Sequence, residues 1–234
     1  MKKSHIAILL VFFLLIPLTL FLGNKLPGRS FYITGTAIIV ELMIPFFMAF
    51  EGRKPQAREL VVIAVLCAIA IAARVAIPIP HFKAIFAVVM LAGIAFGPEA
   101  GFAVGAISAF ASNFFYTQGP ETPWQKMAYG AGGMAAGFCI RKELFPRKPL
   151  PMALFGFFCV VLWIGPLLDT SSLFLMATVI NWKSAVTILA SGLPANISQA
   201  ISTALTLALL GKPFLDKLNR IQVKYGMLDG KAQH

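Results

Sequence analysis

Side chains that could bind a small molecule gather at three turns between apolar segments. The first turn, NFFYTQGPETPWQ, contributes Asn113, Tyr116, Gln118, Trp124 and Gln125, the second contributes Arg74, His81, Phe82 and Lys83, and the third contributes Trp163, Asp169, Asn181, Trp182 and Lys183. Aromatic rings supply apolar walls and amides fix the orientation of a ligand, which is the usual make-up of a concave binding site. Tyr and Trp alone would also fit the aromatic belt at a membrane surface. A belt does not require amides beside the rings, so the three turns predict a ligand-binding site.

The motifs of common enzyme chemistry are missing from the sequence. The stretch GKPFL at Gly211 lacks the glycine spacing and the hydroxyl of a P-loop, and neither HExxH, GxSxG nor paired intramembrane carboxylates occur. Cys67, Cys139 and Cys159 each lie inside an apolar run without a CxxC pair or a nearby His. We interpret them as small packing residues rather than as disulfide partners or metal ligands. We expect no catalytic residue, no metal site and no nucleotide hydrolysis by this chain.

Composition places these turns in an integral membrane protein. The mean hydropathy is +0.82 and only 12% of the 234 residues are charged, against about a quarter in a soluble domain. The net charge of +11 comes from short Lys and Arg clusters between apolar runs, a pattern typical of topology signals rather than of a nucleic-acid surface. The N-terminal stretch starts like a signal peptide. Its apolar run is longer and no A-x-A site follows, so we interpret it as a membrane helix.

Eight apolar runs predict eight helices, at about residues 5–22, 31–50, 60–77, 83–97, 99–116, 124–140, 151–168 and 184–210. The fourth run is short and the Gly97-Pro98 break after it is tight, so the fourth and fifth helices should form a closely packed hairpin. Because most Lys and Arg lie on one side of these runs, the positive-inside rule places both termini in the cytoplasm and the three turns outside. The predicted fold class is an all-α, multi-pass protein of the bacterial cell membrane.

Two segments outside these runs have their own predicted roles. The apolar stretch from Leu173 to Ile180 is too short to cross a bilayer, and it lies in a connection of about fifteen residues, so we expect it to cover the outer mouth. The tail carries Phe214, Leu218, Ile221 and Tyr225 at helical spacing. This pattern favours a helix lying in the inner interface, and a frayed, solvated tail is the alternative.

Small residues repeat every fourth position on three of the predicted helices. The stripes are Ala64, Ala68, Ala72 and Ala76, then Gly97, Gly101, Gly105 and Ala109, then Gly133 and Gly137. Small faces allow helices to approach closely in lipid. We interpret the two glycine stripes as packing within the chain, whereas the alanine stripe fits internal packing and a partner protein equally well.

Two ionisable residues lie inside predicted spans, where charge is costly and usually faces a partner or a cavity. Arg74 lies about one turn from the outer end of its helix, from which it could reach the interface, a ligand or Glu41. Glu41 lies near the middle of the second helix, either protonated or hydrogen-bonded within the bundle. Their roles stay open at this stage.

One ordered set of features resembles a known family. A short helix, the tight turn FGPEAG, the run GFAVGAISAFASNFF, an outer loop and a glycine-rich helix resemble the S-component, or substrate-binding membrane subunit, of an energy-coupling factor (ECF) vitamin transporter. The resemblance covers about residues 60–210 and implies a six-helix substrate-binding core there. It leaves residues 1–59 as a two-helix membrane hairpin that the family pattern lacks, and residues 211–234 as a basic cytoplasmic tail.

The resemblance also implies a mechanism and partners. An S-component takes a vitamin into a pocket near the outer face and tilts against a transmembrane coupling subunit, while two cytoplasmic ATPase subunits drive release. Ala64, Ala68 and Ala72 would then dock on the coupling subunit, and the three turns would form the pocket. Within the family the chain looks most like the cobalamin-specific member of lactobacilli, so cobalamin is the expected transported substrate, with no cofactor bound by the chain itself.

Residue chemistry alone does not select the vitamin. Corrin-ring amides would suit Asn113, Gln118 and Asn181, and the apolar ring face would suit Tyr116, Trp124 and Trp182. The same side chains would suit a flavin, a folate or a modified purine such as a queuosine precursor. A membrane enzyme or scaffold unrelated to uptake is the rival class.

Overall fold

A computed structural model describes residues 10–23, 30–52, 56–141, 144–177 and 179–226 of the chain. The charged N-terminal segment and residues 227–234 lie outside the described residues, as does part of the basic segment between the second and third helices. The predicted orientation of the termini therefore stays a prediction.

Eight helical segments form the described part of the chain. They are α1 (Val11–Leu15 as a π-helical turn, then Ile16–Gly23), α2 (Ser30–Gly52), α3 (Ala57–Val75), α4 (Ile85–Phe96), α5 (Pro98–Ser112), α6 (Thr122–Cys139), α7 (Pro149–Met176, with a π-helical turn at Val160–Ile164) and α8 (Trp182–Lys224). No strand occurs among the described residues. The all-helical fold class is confirmed, whereas the division into a six-helix core and two extra helices stays a prediction.

Three of these helices are long and apolar enough to cross a membrane: Ile33–Gly52, Pro149–Met176 and Trp182–Lys224. The helix α4 is apolar but has only 12 residues, which is short for a hydrocarbon core of about 30 Å. Its residues are almost all buried, so α4 is surrounded by other helices rather than by lipid.

Glycines bring the backbones of α4, α5 and α6 into contact. Gly97 has φ 102°, a conformation that glycine adopts at little cost, and it turns the chain sharply from α4 into α5. A Cβ on Gly101 would stand 2.7 Å from the carbonyl carbon of Gly133, and one on Gly137 would stand 2.7 Å from the nitrogen of Pro98. The predicted hairpin and the packing role of both glycine stripes are confirmed.

The last two helices are longer than the sequence predicts. The helix α7 continues through its π-helical turn to Met176, and α8 begins at Trp182, so the connection is five residues rather than about fifteen. Asn181 caps α8 by accepting a hydrogen bond from the backbone N–H of Ser184, whose hydroxyl accepts one from Asn181 in return. The expectation of an apolar loop over the mouth is wrong, because Leu173 to Met176 complete a helix.

The tail is also a continuation of α8 and not a separate helix. Pro213 interrupts the backbone hydrogen bonds only locally, and the helix runs on to Lys224. Leu218 is buried in the main hydrophobic core, and Gln222 Nε2 donates to the carbonyl oxygen of Ala95 at 2.9 Å. Burial of Leu218 and the hydrogen bond from Gln222 hold residues 212–224 in line with the preceding helix.

The N-terminal helices pack on one side of the glycine-linked helices. Phe46 of α2 lies 4.6 Å from the Phe102 ring of α5, measured between ring centroids. Thr19 of α1 donates a hydrogen bond to Oε1 of Glu41, whose Oε2 is buried without a partner among the described residues. Of the alternatives for Glu41, hydrogen bonding within the bundle is confirmed.

The alanine stripe lies on an open face of α3. Ala64, Ala68 and Ala72 are exposed, and their neighbour Val61 is 64% exposed, whereas Ile63 on the opposite face is buried. Internal packing of the stripe is therefore wrong, because the described helices leave this face uncovered.

Candidate functional site

A cavity of about 530 Å³ lies where the loop between α3 and α4 meets α4, α6 and the last two helices. Its walls are Arg74, Pro78, Pro80, His81, Lys83, Phe86, Tyr116, Gln125, Tyr129, Val160, Ile164, Gly165, Leu168, Ala195, Asn196 and Gln199. Aromatic and aliphatic side chains form most of this surface, and amides interrupt it at three places. This combination of apolar walls and few polar groups is typical of a small-molecule site.

The guanidinium of Arg74 lies between two tyrosine rings. Its central carbon is 5.0 Å from the ring centroid of Tyr116 and 5.6 Å from that of Tyr129, which are cation–π distances. The Tyr116 hydroxyl donates to the backbone oxygen of Arg74 at 2.9 Å. Phe86 packs edge-on against Tyr129 with centroids 4.6 Å apart. One cation and three rings thus form a rigid aromatic wall.

A chain of hydrogen bonds leads from Arg74 to a second amide at the cavity. Arg74 donates to the hydroxyl of Ser112 and, at 2.8 Å, to Oδ1 of Asn113. The amide nitrogen of Asn113 then donates to Gln125 Oε1 at 2.7 Å and to Thr122 Oγ1 at 3.2 Å. Asn113 is only 1% exposed. It connects the cation to Gln125 from behind the cavity wall.

The opposite wall comes from the last two helices. Val160 and Ile164 belong to the π-helical turn of α7, and Asn196 of α8 faces them across the close approach at Gly165. The amide nitrogen of Asn196 donates to Oδ2 of Asp169 at 2.7 Å. This hydrogen bond joins α7 to α8 at the cavity.

The rim is formed by the loop between α3 and α4. His81 has φ 55°, in the left-handed region that non-glycine residues seldom adopt, and it bends the loop over the cavity. The ammonium group of Lys83 donates to the carbonyl oxygen of Ile77 and lies 6.0 Å from the Tyr116 ring centroid. Among the described residues that line the cavity, none is Asp or Glu. The site is therefore basic in character.

The structure brings five of the predicted site residues to the cavity: Arg74, His81, Lys83, Tyr116 and Gln125. Of the alternatives for Arg74, the structure selects the inward one, since its side chain points into the bundle and lines the cavity. Asn113 and Asp169 lie one layer behind, where they hold Gln125 and Asn196.

Six other predicted residues do not line the cavity: Phe82, Gln118, Trp124, Trp163, Asn181 and Trp182. Lys183 is exposed and does not line it either. Trp124 is buried against α2 and Phe174, with its indole N–H 3.4 Å from Thr36 Oγ1. Trp163 and Trp182 are 59% and 84% exposed. These side chains face away because their helices present other residues to the cavity.

Two of the misplaced residues serve the turns in which they lie. Gln118 is exposed and donates to the carbonyl oxygen of Phe110, and Phe82 closes a turn with Ile79. Both contacts are local to the chain, and neither residue lines the cavity.

The sequence reasoning missed several lining residues, above all Phe86, Tyr129, Asn196 and Gln199. A signal for two of them is present: Asn196 and Gln199 are amides inside the apolar run of α8, where polar side chains usually face a partner or a cavity. Tyr129 follows Gln125 by four residues, which places both on one helix face. Phe86 carries no comparable signal, because it is one apolar residue in an apolar helix.

A second cavity, of about 370 Å³, lies between α2 and α6 and is lined by Val40, Met43, Ile44, Phe47, Met48, Glu51, Pro123 and Lys126. The described residues of this lining include neither an aromatic pair nor an amide. The first cavity is therefore the better candidate for a specific small-molecule site.

Comparison with known proteins identifies a family. A family model described as "ECF-type riboflavin transporter, S component" matches residues 54–216, well over half of the chain. The matched region begins before α3 and ends inside α8, so it contains every residue of the larger cavity. Searches of the curated proteins and of the solved structures found no match.

Proposed function

We propose a vitamin-binding function from the premise that this chain belongs to the family of ECF-type riboflavin transporter S components. S-components are the substrate-binding subunits of ECF transporters, so the chain is a membrane transport subunit and not an enzyme. They associate with an ECF module of a coupling subunit and ATPases. The family does not by itself fix the substrate of this chain.

The substrate site that we propose is the cavity around Arg74. The observation that carries the proposal is the aromatic wall of Phe86, Tyr116 and Tyr129 facing the amides of Asn196 and Gln199. A flat heteroaromatic ring can stack on such a wall while its polar edge meets the amides. Loops at the ends of helices close the cavity, and the rim at His81 is its proposed mouth on the outer face.

Riboflavin is the vitamin that we propose for this cavity. It has about 27 non-hydrogen atoms, the size of ligand that cavities of roughly 300 to 1,000 Å³ hold, and the cavity measures about 530 Å³. The family's name points to the same vitamin. Cobalamin, the substrate expected from the sequence, has roughly three times as many non-hydrogen atoms, so its binding would require α7 and α8 to move apart. It remains the rival to be measured beside riboflavin.

The proposed partner surface is the exposed face of α3. Ala64, Ala68 and Ala72 offer a smooth surface on which a helix of the coupling subunit can pack closely. Their exposure, together with that of Val61 and Val65, leaves the face available for such a contact. ATP hydrolysis would then occur in the partner subunits.

A fluorescence titration tests the substrate proposal. Riboflavin fluorescence should fall in a saturable way when the purified chain is added, because stacking on Tyr116 and Tyr129 quenches the flavin. Cobalamin binding, followed by its visible absorption, and folate binding are measured on the same preparation. Saturable binding of cobalamin without binding of riboflavin would reverse the choice of vitamin and keep the family function.

Two aromatic variants locate the site. Tyr116→Ala removes a half-exposed ring from the cavity wall and should weaken riboflavin binding about tenfold, or ~1.4 kcal/mol. Trp182→Ala removes a larger ring that is 84% exposed and outside the cavity, so it should bind like the parent. Equal losses in both variants, or a loss only in Trp182→Ala, would move the site to the third turn.

A further inference from the structure

We propose that the cavity recognises its ligand with two amides of opposite orientation, one presenting an N–H and the other a carbonyl oxygen, and that each orientation is set by a charged side chain. Gln125 presents an N–H donor because Arg74 orients it through Asn113, and Asn196 presents a carbonyl acceptor because Asp169 orients it. This inference rests on the proposed function, in that the ligand is the vitamin bound in this cavity. It assigns positioning roles to Asn113 and Asp169, neither of which lines the cavity.

Arg74 sets which end of the first amide, that of Gln125, faces the cavity. A guanidinium has donors and no acceptor, so the group that Asn113 turns toward it at 2.8 Å must be the carbonyl oxygen Oδ1. The Asn113 nitrogen then faces Gln125 and donates to its Oε1 at 2.7 Å. Because that end of Gln125 is occupied, Nε2 is the end left for the cavity. Within the described ranges, Nε2 of Gln125 has no other hydrogen-bond partner.

Asn113 can fix the orientation of Gln125 because its side-chain amide is buried and each of its hydrogen-bonding groups has a partner. It is 1% exposed, its oxygen accepts from Arg74, and its two N–H groups donate to Gln125 and Thr122. Rotating the amide by half a turn would place N–H groups against the guanidinium and an oxygen against Gln125 Oε1. Each misplaced contact would leave buried polar groups unpaired, which is costly.

The second amide, that of Asn196, has the opposite orientation, with its oxygen toward the cavity. The carboxylate of Asp169 only accepts hydrogen bonds, and its Oδ2 accepts one from Nδ2 of Asn196 at 2.7 Å. Oδ1 of Asn196 is therefore the end left for the cavity, and in the part of the chain that the structure describes it has no other partner. The residue is 9% exposed and lies against Gly165, so its side chain has little room to rotate.

A donor on α6 and an acceptor on α8 select a ligand that carries a carbonyl oxygen and an N–H. The dione ring of a flavin has both, as do the ring edges of pterins and oxopurines. A ligand without the N–H would leave the Asn196 oxygen buried and unpaired, and such a mismatch can reject an analogue far more strongly than lost apolar contact does. Discrimination then depends on Arg74 and Asp169, although the cation and the carboxylate need not touch the ligand edge.

The test of the first amide is Asn113→Asp. The new carboxylate still accepts from Arg74, so the fold is retained, but it has no N–H for Gln125. Gln125 should then rotate, donate Nε2 to the introduced carboxylate and turn its oxygen toward the cavity. Riboflavin binding should become about ten- to hundredfold weaker, the usual effect of losing one buried hydrogen bond to a ligand. Gln56→Glu, the same change of charge at an exposed position, should bind like the parent.

The hydrogen-bonded series Arg74–Asn113–Gln125 is called the relay. A double-mutant cycle separates loss of the relay from general damage to the fold. In a Gln125→Leu background the relay has no end group, so adding Asn113→Asp should leave riboflavin affinity unchanged. Equal losses from Asn113→Asp with and without Gln125 would overturn the relay. So would an Asn113→Asp protein that keeps its thermal midpoint and binds riboflavin with the parent's affinity.

The second amide is tested with a ligand analogue. N3-methylriboflavin lacks the only ring N–H of riboflavin, so the parent should prefer riboflavin about tenfold or more. In Asp169→Asn the new amide can donate or accept, Asn196 is no longer fixed, and the preference should fall to within about threefold. An unchanged preference in Asp169→Asn would overturn the role of Asp169.

A ligand-free measurement distinguishes this inference from the choice of vitamin. The side-chain amide protons of Gln125, identified by their loss in Gln125→Leu, should exchange with water faster in the parent than in Asn113→Asp, where they are hydrogen-bonded. Slower exchange in Asn113→Asp supports the relay even if riboflavin does not bind, and in that case only the vitamin is wrong. Equal exchange in the two proteins refutes the relay whatever the vitamin is.

Discussion

The substitution Gly165→Ala should damage the cavity through a single added methyl group. A Cβ on Gly165 would stand 2.6 Å from Nδ2 and 2.7 Å from Oδ1 of Asn196, whereas ordinary van der Waals contact begins at 3.4 Å. The nearest amide atom is Cγ of Asn196, at 2.4 Å from the added Cβ, so the amide must move by about 1 Å to restore ordinary contact. Asn196 is held by Asp169 on one side and enclosed on the other, so it can move only by lengthening that hydrogen bond or by entering the cavity.

The size of the effect follows from these two routes. Overpacking of a closed site costs about 1 to 3 kcal/mol of stability, and loss of one buried hydrogen bond to a ligand costs a similar amount, or about ten- to hundredfold in affinity. We expect riboflavin binding to weaken by at least tenfold. The assay is the fluorescence titration, with thermal melting of the unliganded protein measured in parallel.

Gly211→Ala is the matched control on the facing helix. Its Cβ would meet the terminal methyl of Met152 at 3.1 Å, and a flexible methionine end can give way. Alanine also favours the helix over glycine by about 1 kcal/mol. Gly211→Ala should bind like the parent and melt no earlier. If Gly165→Ala shows the parent's affinity while both variants fold, Asn196 does not contact the ligand.

Three further predictions concern other parts of the chain. Ala68→Trp should retain riboflavin binding by the isolated chain but lose assembly with the ECF module and uptake. Leu162→Trp, on another exposed face, should keep assembly and uptake. Normal assembly of Ala68→Trp would exclude α3 as the docking face. A cysteine replacing Thr117 should react with an impermeant thiol reagent applied to intact cells and one replacing Lys148 should not, and labelling at position 148 would reverse the topology. His81→Val should lower the free energy of unfolding by about 1 kcal/mol or more, because a β-branched residue resists the left-handed conformation. His81→Gly should not lower it. Equal melting temperatures of the two variants would exclude backbone strain at the rim.

Helix positions were predictable because the breaks between apolar runs have local causes. Gly97 and Pro98 form a turn that depends on the backbone preferences of two residues, and the predicted hairpin follows from them alone. The ends of α7 and α8 were not predictable in the same way. Leu173 to Met176 and the segment after Pro213 continue their helices because they pack on neighbouring helices, and such contacts are invisible in a single run of sequence.

The cavity was predictable in part for a similar reason. Arg74, Tyr116 and Gln125 were found because charge or hydrogen-bonding capacity near a turn in a membrane protein needs an explanation. The three tryptophans were misplaced, since residue type does not reveal which face of a helix meets the bundle. Trp124 faces α2, a helix outside the residues that the family model matches, so its environment could not be inferred from the resemblance either.

The backbone contacts among α4, α5 and α6 divide the walls of the cavity into a stiff part and a compliant part. Where two helices touch backbone to backbone at a glycine, no side chain lies between them that could change rotamer, so we expect these three helices to move as one body. Phe86, Gln125 and Tyr129 belong to that body and should hold one pose of the ligand ring. Val160 and Ile164 lie in a π-helical turn of α7, and the Ile164 side chain rests against Gly132 of α6. Admission of a larger or smaller vitamin should therefore be adjusted by substitutions on α7, with the pose of the ring left unchanged.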